Sequence, residues 1–305
     1  MSRIHDALKR AEEQRQARGT TSPRDTSAKT AEPELPPITS ELGFGEPEGV
    51  SASEPTPDSD SQESRERLLQ DCCRSNWQPS RDALFLSAAG RYVTGLEEFR
   101  RLRSRLFQLR AQKPLKTVLV SSALPGEGKS FVSANLAQAL ASQRGGRTLL
   151  IDGDLRKPHI HKILGAPEQP GLFDYLSGKA TEQEIVHRSE SDTLFFIPGG
   201  SVNSAAGEVA GNGLFKQLIG RLTPLFDWIV VDSSPVLPVS DPTRLAEVCD
   251  GVILVVRAGV TPHGEAERAK DEFRNRSVLG VVMNHVSEPI RQYHAYRDYE
   301  KSQVR

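Results

Sequence analysis

From residue 116 onward, short apolar runs recur at 117–121, 147–151, 193–197, 228–231, 251–256 and 278–283. Val, Ile and Leu fill most of them without polar alternation, the pattern of strands buried on both faces of a parallel sheet. Helical stretches lie between them. The first, Phe131 to Ser142, sets Val132, Leu136, Ala139 and Leu140 at helical spacing. Leu96 to Gln112, ahead of the first run, is a strongly basic candidate helix. Strand alternating with helix predicts an α/β fold, a mostly parallel central sheet flanked by helices on both faces, with ligands held at the carboxyl ends of strands.

The pattern changes upstream. Residues 20–65 are rich in Pro, Ser, Thr, Glu and Gly and nearly free of large apolar side chains. Such a stretch buries too little surface to offset its ordering entropy. It predicts a disordered linker over 19–80, a folded domain over 81–290 and a polar tail over 291–305. Within residues 1–18, Ile4, Ala7, Leu8 and Ala11 form a narrow apolar stripe among Arg3, Lys9, Arg10 and Arg15. The stripe suits a small amphipathic helix for a partner or membrane surface. It equally suits a solvated, partly helical tail, which its shortness and the mixed charge of Glu12 and Glu13 favour. No internal repeat is visible.

Bulk properties narrow the class. The chain has 305 residues, enough for one large domain or two small ones, and a net charge of -1. That balance supplies no global field for nucleic acid or anionic lipid. Cys72, Cys73 and Cys249 make no disulfide framework and no zinc spacing, and fit a reducing cytoplasm. No apolar run approaches the roughly 20 residues that span a bilayer. The polar start carries no secretory signal. A cytoplasmic protein is expected.

The richest chemistry lies in Ser122-Ala123-Leu124-Pro125-Gly126-Glu127-Gly128-Lys129-Ser130. It sits between a strand-like run and a helix-like run, the setting that makes a Gly-rich pattern a P-loop. Gly126 and Gly128 let backbone N–H groups wrap phosphate, and the following helix N-terminus favours negative charge. Lys129 reaches β- and γ-phosphates, and the Ser130 hydroxyl can ligate Mg²⁺. The candidate cradle is thus Leu124, Pro125, Gly126, Glu127, Gly128, Lys129, Ser130 and Phe131. Ala123 stands where the strict pattern has Gly.

Two other strand ends carry acids. Trp228-Ile229-Val230-Val231 ends in Asp232-Ser233-Ser234-Pro235. An acid there, in a chain with a P-loop, suits a second Mg²⁺ anchor. Arg147 to Ile151 ends in Asp152-Gly153-Asp154-Leu155-Arg156-Lys157-Pro158. Two carboxylates so close repel unless a cation or proton lies between them. One can hold Mg²⁺ through water, and the other can orient or deprotonate an attacking hydroxyl. Arg156 and Lys157 either bind phosphate or an acidic substrate segment, or balance the two acids.

These three segments resemble the Walker A, Walker A′ and Walker B motifs of bacterial tyrosine kinases. The likeness is to the cytoplasmic kinases paired with membrane chain-length regulators in capsule and exopolysaccharide synthesis. The opening Met1-Ser2-Arg3-Ile4-His5-Asp6-Ala7-Leu8-Lys9-Arg10-Ala11-Glu12 is similar to the start of stand-alone members, and the resemblance covers roughly residues 90–290. It implies a P-loop NTPase-type fold and an ATP-dependent protein-tyrosine autokinase. Lys129 and Ser130 would bind ATP phosphates and Mg²⁺, Asp152 and Asp232 would support the metal, and Asp154 would assist the tyrosine hydroxyl. Glu97, Arg100 and Arg103 look like the Glu-x-x-Arg-x-x-Arg helix through which such kinases assemble into rings. On their own these residues read as an ordinary charged helix face. Tyr293, Tyr296 and Tyr299, three of the chain's five tyrosines, look like the tail cluster autophosphorylated between subunits. The resemblance also implies a transmembrane polysaccharide co-polymerase or chain-length regulator as activator. Through it the protein would sit peripherally at the inner face of the membrane.

The chain departs from the family pattern in places. Walker B often continues Thr-Pro-Pro or Ser-Pro-Pro, and here Ser234 replaces the first Pro. The loop Pro198 to Ser204 only loosely matches a Pro-rich turn, and the tyrosine cluster is short. Two other functions share the fold: a partitioning-type or septum-site ATPase, and an ATP-gated adaptor of a membrane regulator with little kinase activity. Those ATPases place an extra Lys early in the loop, at the position of Leu124 here. That substitution and the tyrosine tail favour the kinase.

Overall fold

A computed structural model describes residues 69–79, 95–143, 145–190, 192–200 and 213–286. The first paired element is β1 (Cys73–Arg74), followed by α1 (Leu96–Arg110), β2 (Thr117–Ser122), α2 (Lys129–Ala141) and β3 (Thr148–Asp152). Then come α3 (Ile160–Leu164), α4 (Leu172–Leu176), α5 (Glu182–Ile185), β4 (His187–Arg188) and β5 (Leu194–Ile197). The chain continues through α6 (Leu214–Leu222), β6 (Trp228–Asp232), α7 (Asp241–Ala246), β7 (Gly251–Arg257), α8 (His263–Glu272) and β8 (Val278–Asn284). The strands form one sheet in the order β1-β4-β5-β3-β6-β2-β7-β8. Every pairing is parallel except β4 with β5.

The absence of polar alternation in the strands now has its cause. Successive side chains of a strand point to opposite faces, and both faces are covered. In β2, Val118 and Val120 enter one core with α1 and α2, while Leu119 enters the other with α4, α6 and α7. The same division holds for Leu149 against Leu150 in β3 and Val230 against Val231 in β6. Phe107 packs edge-on against Trp228, and the Arg110 guanidinium lies 5.0 Å from that ring's centre, which fastens α1 over the sheet.

Strand order does the rest. In the sheet, β6 lies between β2 and β3. The loops after β2, β3 and β6 therefore emerge side by side at one carboxyl edge, where open α/β sheets bind ligands.

Two expectations are corrected. The run 278–283 does not form a strand buried on both faces. As β8 it is the sheet's outer strand, and Val281 and Met283 are 55% and 63% exposed. Hydrophobic content records a strand's side chains, not the layer available to cover them, and of α8 only Ala269 is buried. Residues 69–79 fall inside the composition-based linker, yet Leu69 and Cys72 are buried, β1 pairs with β4, and Trp77 stacks edge-on against Phe196. A few apolar residues tie this stretch to the domain, too sparse to outweigh the polar composition around them.

Candidate active site

The loop after β2 turns at Gly126 and Gly128, with φ of 82° and 89°, conformations that glycine adopts without a side-chain clash. Gly128 is also needed for space, because a Cβ there would lie 2.0 Å from Asn284 Nδ2. Helix α2 begins at Lys129, so its first turn faces the carboxyl edge. Phe131 packs edge-on against Phe99 of α1. Leu124 is partly buried against the core, and its carbonyl accepts from Ser122 Oγ at 3.0 Å.

Lys129 Nζ donates to Asp154 Oδ2 at 2.8 Å and lies 4.0 Å from Asp232 Oδ2. Ser130 Oγ donates to Asp232 Oδ2 at 2.6 Å, and Ser133 Oγ donates to Asp232 Oδ1 at 2.9 Å. Asp232 and Asp152 are register partners on adjacent strands, both fully buried. The Asp152 carboxylate accepts from the amides of His159 and Ile160 at 2.9 and 3.0 Å and of Asp154 at 3.3 Å. It thereby shapes the turn that presents Asp154 and enters α3. Asp154 Oδ1 accepts from Ser234 Oγ at 2.8 Å and from the Lys157 amide at 3.2 Å.

Burial and the neighbouring Asp232 carboxylate push Asp152 up to about 8, and burial raises Asp232 against the pull of Lys129. Burial alone would lower the Lys129 ammonium. The carboxylates of Asp232, Asp154 and Asp152 outweigh it and hold Lys129 above its ordinary value. The site is a largely buried cluster in which one ammonium bonds Asp154, lies near Asp232 and feels the charge of Asp152.

At the second strand end Arg156 is engaged by a third acid, neither Asp152 nor Asp154. Arg156 pairs with Asp241, Nε to Oδ2 at 2.6 Å, so it balances an acid of α7. Lys157 is exposed. On α1, Arg100 bonds Glu97 within the helix at 3.2 Å, while Arg103 donates to Ala139 O and Ser142 Oγ at the end of α2. Tyr293, Tyr296 and Tyr299 lie outside the described residues.

Residues 118–304 match the family described as the CobQ/CobB/MinD/ParA nucleotide binding domain. The tyrosine-protein kinase YwqD of Bacillus subtilis is 33% identical over 190 residues, 62% of this chain and 80% of its own length. The tyrosine-protein kinase CpsD of Streptococcus agalactiae is 34% identical over 192 residues, 62% of this chain and 83% of its own. The chain belongs to the bacterial tyrosine-kinase branch of this nucleotide-binding family. Among solved structures, the kinase domain of Escherichia coli tyrosine kinase ETK is similar to this one with a TM-score of 0.62 and 25% identity, covering 67% of this chain and 81% of that one. The P-loop kinase fold expected from the three motifs is therefore the fold observed. Among the described residues, no helix is long and apolar enough to cross a membrane.

Four contacts of the site were not visible in sequence. Glu127 is buried in the loop, where Oε2 accepts from the Leu124 amide at 2.8 Å and Oε1 from the Thr261 hydroxyl. Asn284 Nδ2 donates to Glu127 O at 2.9 Å from the end of β8. Ser234 bonds Asp154. The visible oddity was an acid between two glycines in a loop built for phosphate. Two of its partners, Thr261 and Asn284, lie more than a hundred residues away, beyond the reach of local spacing.

Proposed function

We propose that this chain is an ATP-dependent protein-tyrosine autokinase that phosphorylates Tyr293, Tyr296 and Tyr299 of a neighbouring copy and regulates exopolysaccharide or capsule synthesis or export. One observation carries the reading: three loops meet at adjacent strand ends, so that Lys129 bonds Asp154 at 2.8 Å and Ser130 bonds Asp232 at 2.6 Å. The names of the relatives, kinases rather than ATPases, support the choice between functions on this fold.

Mg²⁺ with ATP fits the donor set. Ser130 Oγ and Asp232 Oδ2 are adjacent hard oxygens, and Mg²⁺ with phosphates takes one or two protein oxygens and keeps several waters. When bound, the ion neutralises charge on the β- and γ-phosphates. Asp152 has oxygens that already accept three amides, so it supports the ion through water, and a bound cation would favour its ionised form over the raised pKa that burial and Asp232 impose. Lys129 has three donors; one reaches Asp154 and one Ser130 Oγ at 3.4 Å, which leaves a third for a phosphate oxygen. Asp154 takes the tyrosine proton. Positioning and electrostatics supply most of phosphoryl-transfer catalysis, and this site is made of both.

Glu97 and Arg100 are the exposed charges through which copies would assemble into a ring, bringing one tail to another site. A transmembrane polysaccharide regulator would supply the activating segment and hold the kinase at the inner face of the membrane.

The test is incubation of pure protein with radiolabelled ATP and Mg²⁺, with and without a cytoplasmic segment of the membrane regulator, followed by phospho-amino-acid analysis. Phosphotyrosine is expected. Release of inorganic phosphate with no phosphotyrosine under either condition would support the ATPase instead.

A further inference from the structure

We infer that Ser234 is a positioning residue for Asp154: its hydroxyl, together with the Lys157 amide, occupies Oδ1 and leaves Oδ2 as the oxygen that takes the acceptor proton. This rests on the autokinase reading and adds to it the choice between the two carboxylate oxygens.

An ionised carboxylate offers about four lone-pair sites, two on each oxygen. In Asp154, Oδ1 receives Ser234 Oγ at 2.8 Å and Lys157 N at 3.2 Å, and Oδ2 receives Lys129 Nζ at 2.8 Å. Among the described residues, that engages three of the four and leaves one on Oδ2, the oxygen beside the lysine that reaches phosphate. Asp154 is 5% exposed and Ser234 3% exposed, so water does not compete freely for either. Transfer is then geometrically defined. The hydroxyl proton passes to Oδ2, the phenolic oxygen bonds the γ-phosphorus, and the bond from that phosphorus to the β–γ bridging oxygen breaks to leave ADP.

The serine is itself held. Ser121 Oγ and Ser233 Oγ each donate to Ser234 O at 3.1 Å, and Ser233 Oγ also reaches Val120 O at 3.1 Å. Two residues on, the Val236 amide donates to Ser122 O at 2.8 Å. The segment is therefore fastened along β2, the strand that launches the phosphate loop. A displacement of that loop carries Ser234 with it, and the Asp154 carboxylate stays aligned with Lys129. Proline, which the Walker B resemblance leads one to expect at 234, has no hydroxyl to offer. The Ser234 bond differs in kind from the other contacts of the site. Ser130 and Ser133 serve Asp232, whereas Ser234 serves the residue assigned to the proton.

The experiment measures single-turnover autophosphorylation and MgATP affinity in full-length protein carrying Ser234→Ala, Ser234→Thr, Asp154→Asn and the Ser234→Ala/Asp154→Asn pair. Loss of a hydrogen bond to a charged group predicts a rate about 10-fold lower in Ser234→Ala, with MgATP affinity within about two-fold of the parent. Ser234→Thr keeps the donor and should recover most of the rate. In the Asp154→Asn background, Ser234→Ala should cost nothing further, because it acts through the group already lost. An unchanged rate in Ser234→Ala, an affinity loss that matches the rate loss, or an equal further fall in the Asp154→Asn background would overturn the inference. If the threonine variant does not fold, the two backgrounds decide alone. A wild-type rate in Asp154→Asn overturns the proton assignment and this inference with it, while a slow Asp154→Asn with a normal Ser234→Ala overturns only the role of Ser234.

Discussion

Asp152 and Asp232 stand opposite each other on adjacent parallel strands, both removed from solvent, with the Lys129 ammonium 4.0 Å from Asp232. Two buried carboxylates side by side oppose each other's ionisation. The fold tolerates them because Ser130, Ser133 and three backbone amides supply hydrogen bonds and Lys129 supplies charge. Such a cluster costs stability in exchange for a preorganised charged site.

On the proposed mechanism the acids should divide their roles. Asp232→Asn keeps the side chain's shape but removes its charge and turns one of the two oxygens that accept from Ser130 and Ser133 into a donor, so the fold should be retained while MgATP use falls. Asp154→Asn should spare MgATP binding and lose phosphate transfer. Titration calorimetry separates the two. Abolition of MgATP binding by Asp154→Asn as complete as that by Asp232→Asn would contradict this division.

Lys129→Met removes the ammonium that serves both the phosphates and Asp154. Phosphorylation should fall by a factor on the order of 100 or more, the scale for loss of one preorganised charged donor. Near-normal turnover would contradict the phosphate-loop assignment.

Glu127 clasps the phosphate loop to Thr261 in the turn between β7 and α8. Glu127→Gln and Thr261→Val should each raise the KM for ATP, by about 10-fold, with a smaller change in kcat, because the clasp sets loop shape rather than chemistry. Thr261→Ser keeps the hydroxyl and should behave as the parent. Equal losses in Thr261→Val and Thr261→Ser would show that packing, not the hydrogen bond, matters there.

On α1 the three motif residues separate. Arg103→Ala loses bonds to Ala139 O and Ser142 Oγ and should lower stability by about 1 kcal/mol in chemical denaturation. The Glu97→Ala/Arg100→Ala pair should leave stability unchanged and shift an assembled ring toward monomers in light scattering. An unchanged mass, with the parent clearly oligomeric, would return Glu97 and Arg100 to the role of a solvated helix face.

Much of the fold was legible because its strands feed two cores and so carry apolar residues at consecutive positions, as Val118, Leu119 and Val120 do. β8 misleads for the same reason, since Val281 and Met283 read as buried and face outward. The motif residues were legible because their spacing within each loop is local. Arg156 with Asp241, Glu127 with Thr261 and Ser234 with Asp154 were not, because each pair joins separate loops that only the strand order brings together. The role of Asp152 lay between these cases. Its place at a strand end was plain, but its three amide partners depend on the path of the following turn.

The tail is the part of the mechanism most directly open to measurement. Each phosphate adds about -1.5 to -2 charges at neutral pH, so on the proposed function a tail modified at two or three tyrosines would be repelled from a carboxylate-rich site and would loosen docking between copies. Mass spectrometry of the full chain incubated with MgATP and the membrane regulator's cytoplasmic segment should find phosphate on Tyr293, Tyr296 and Tyr299, and changing all three to Phe should remove it. Phosphate found only outside residues 291–305, or autophosphorylation undiminished in the triple Phe variant, would contradict transfer to the tail.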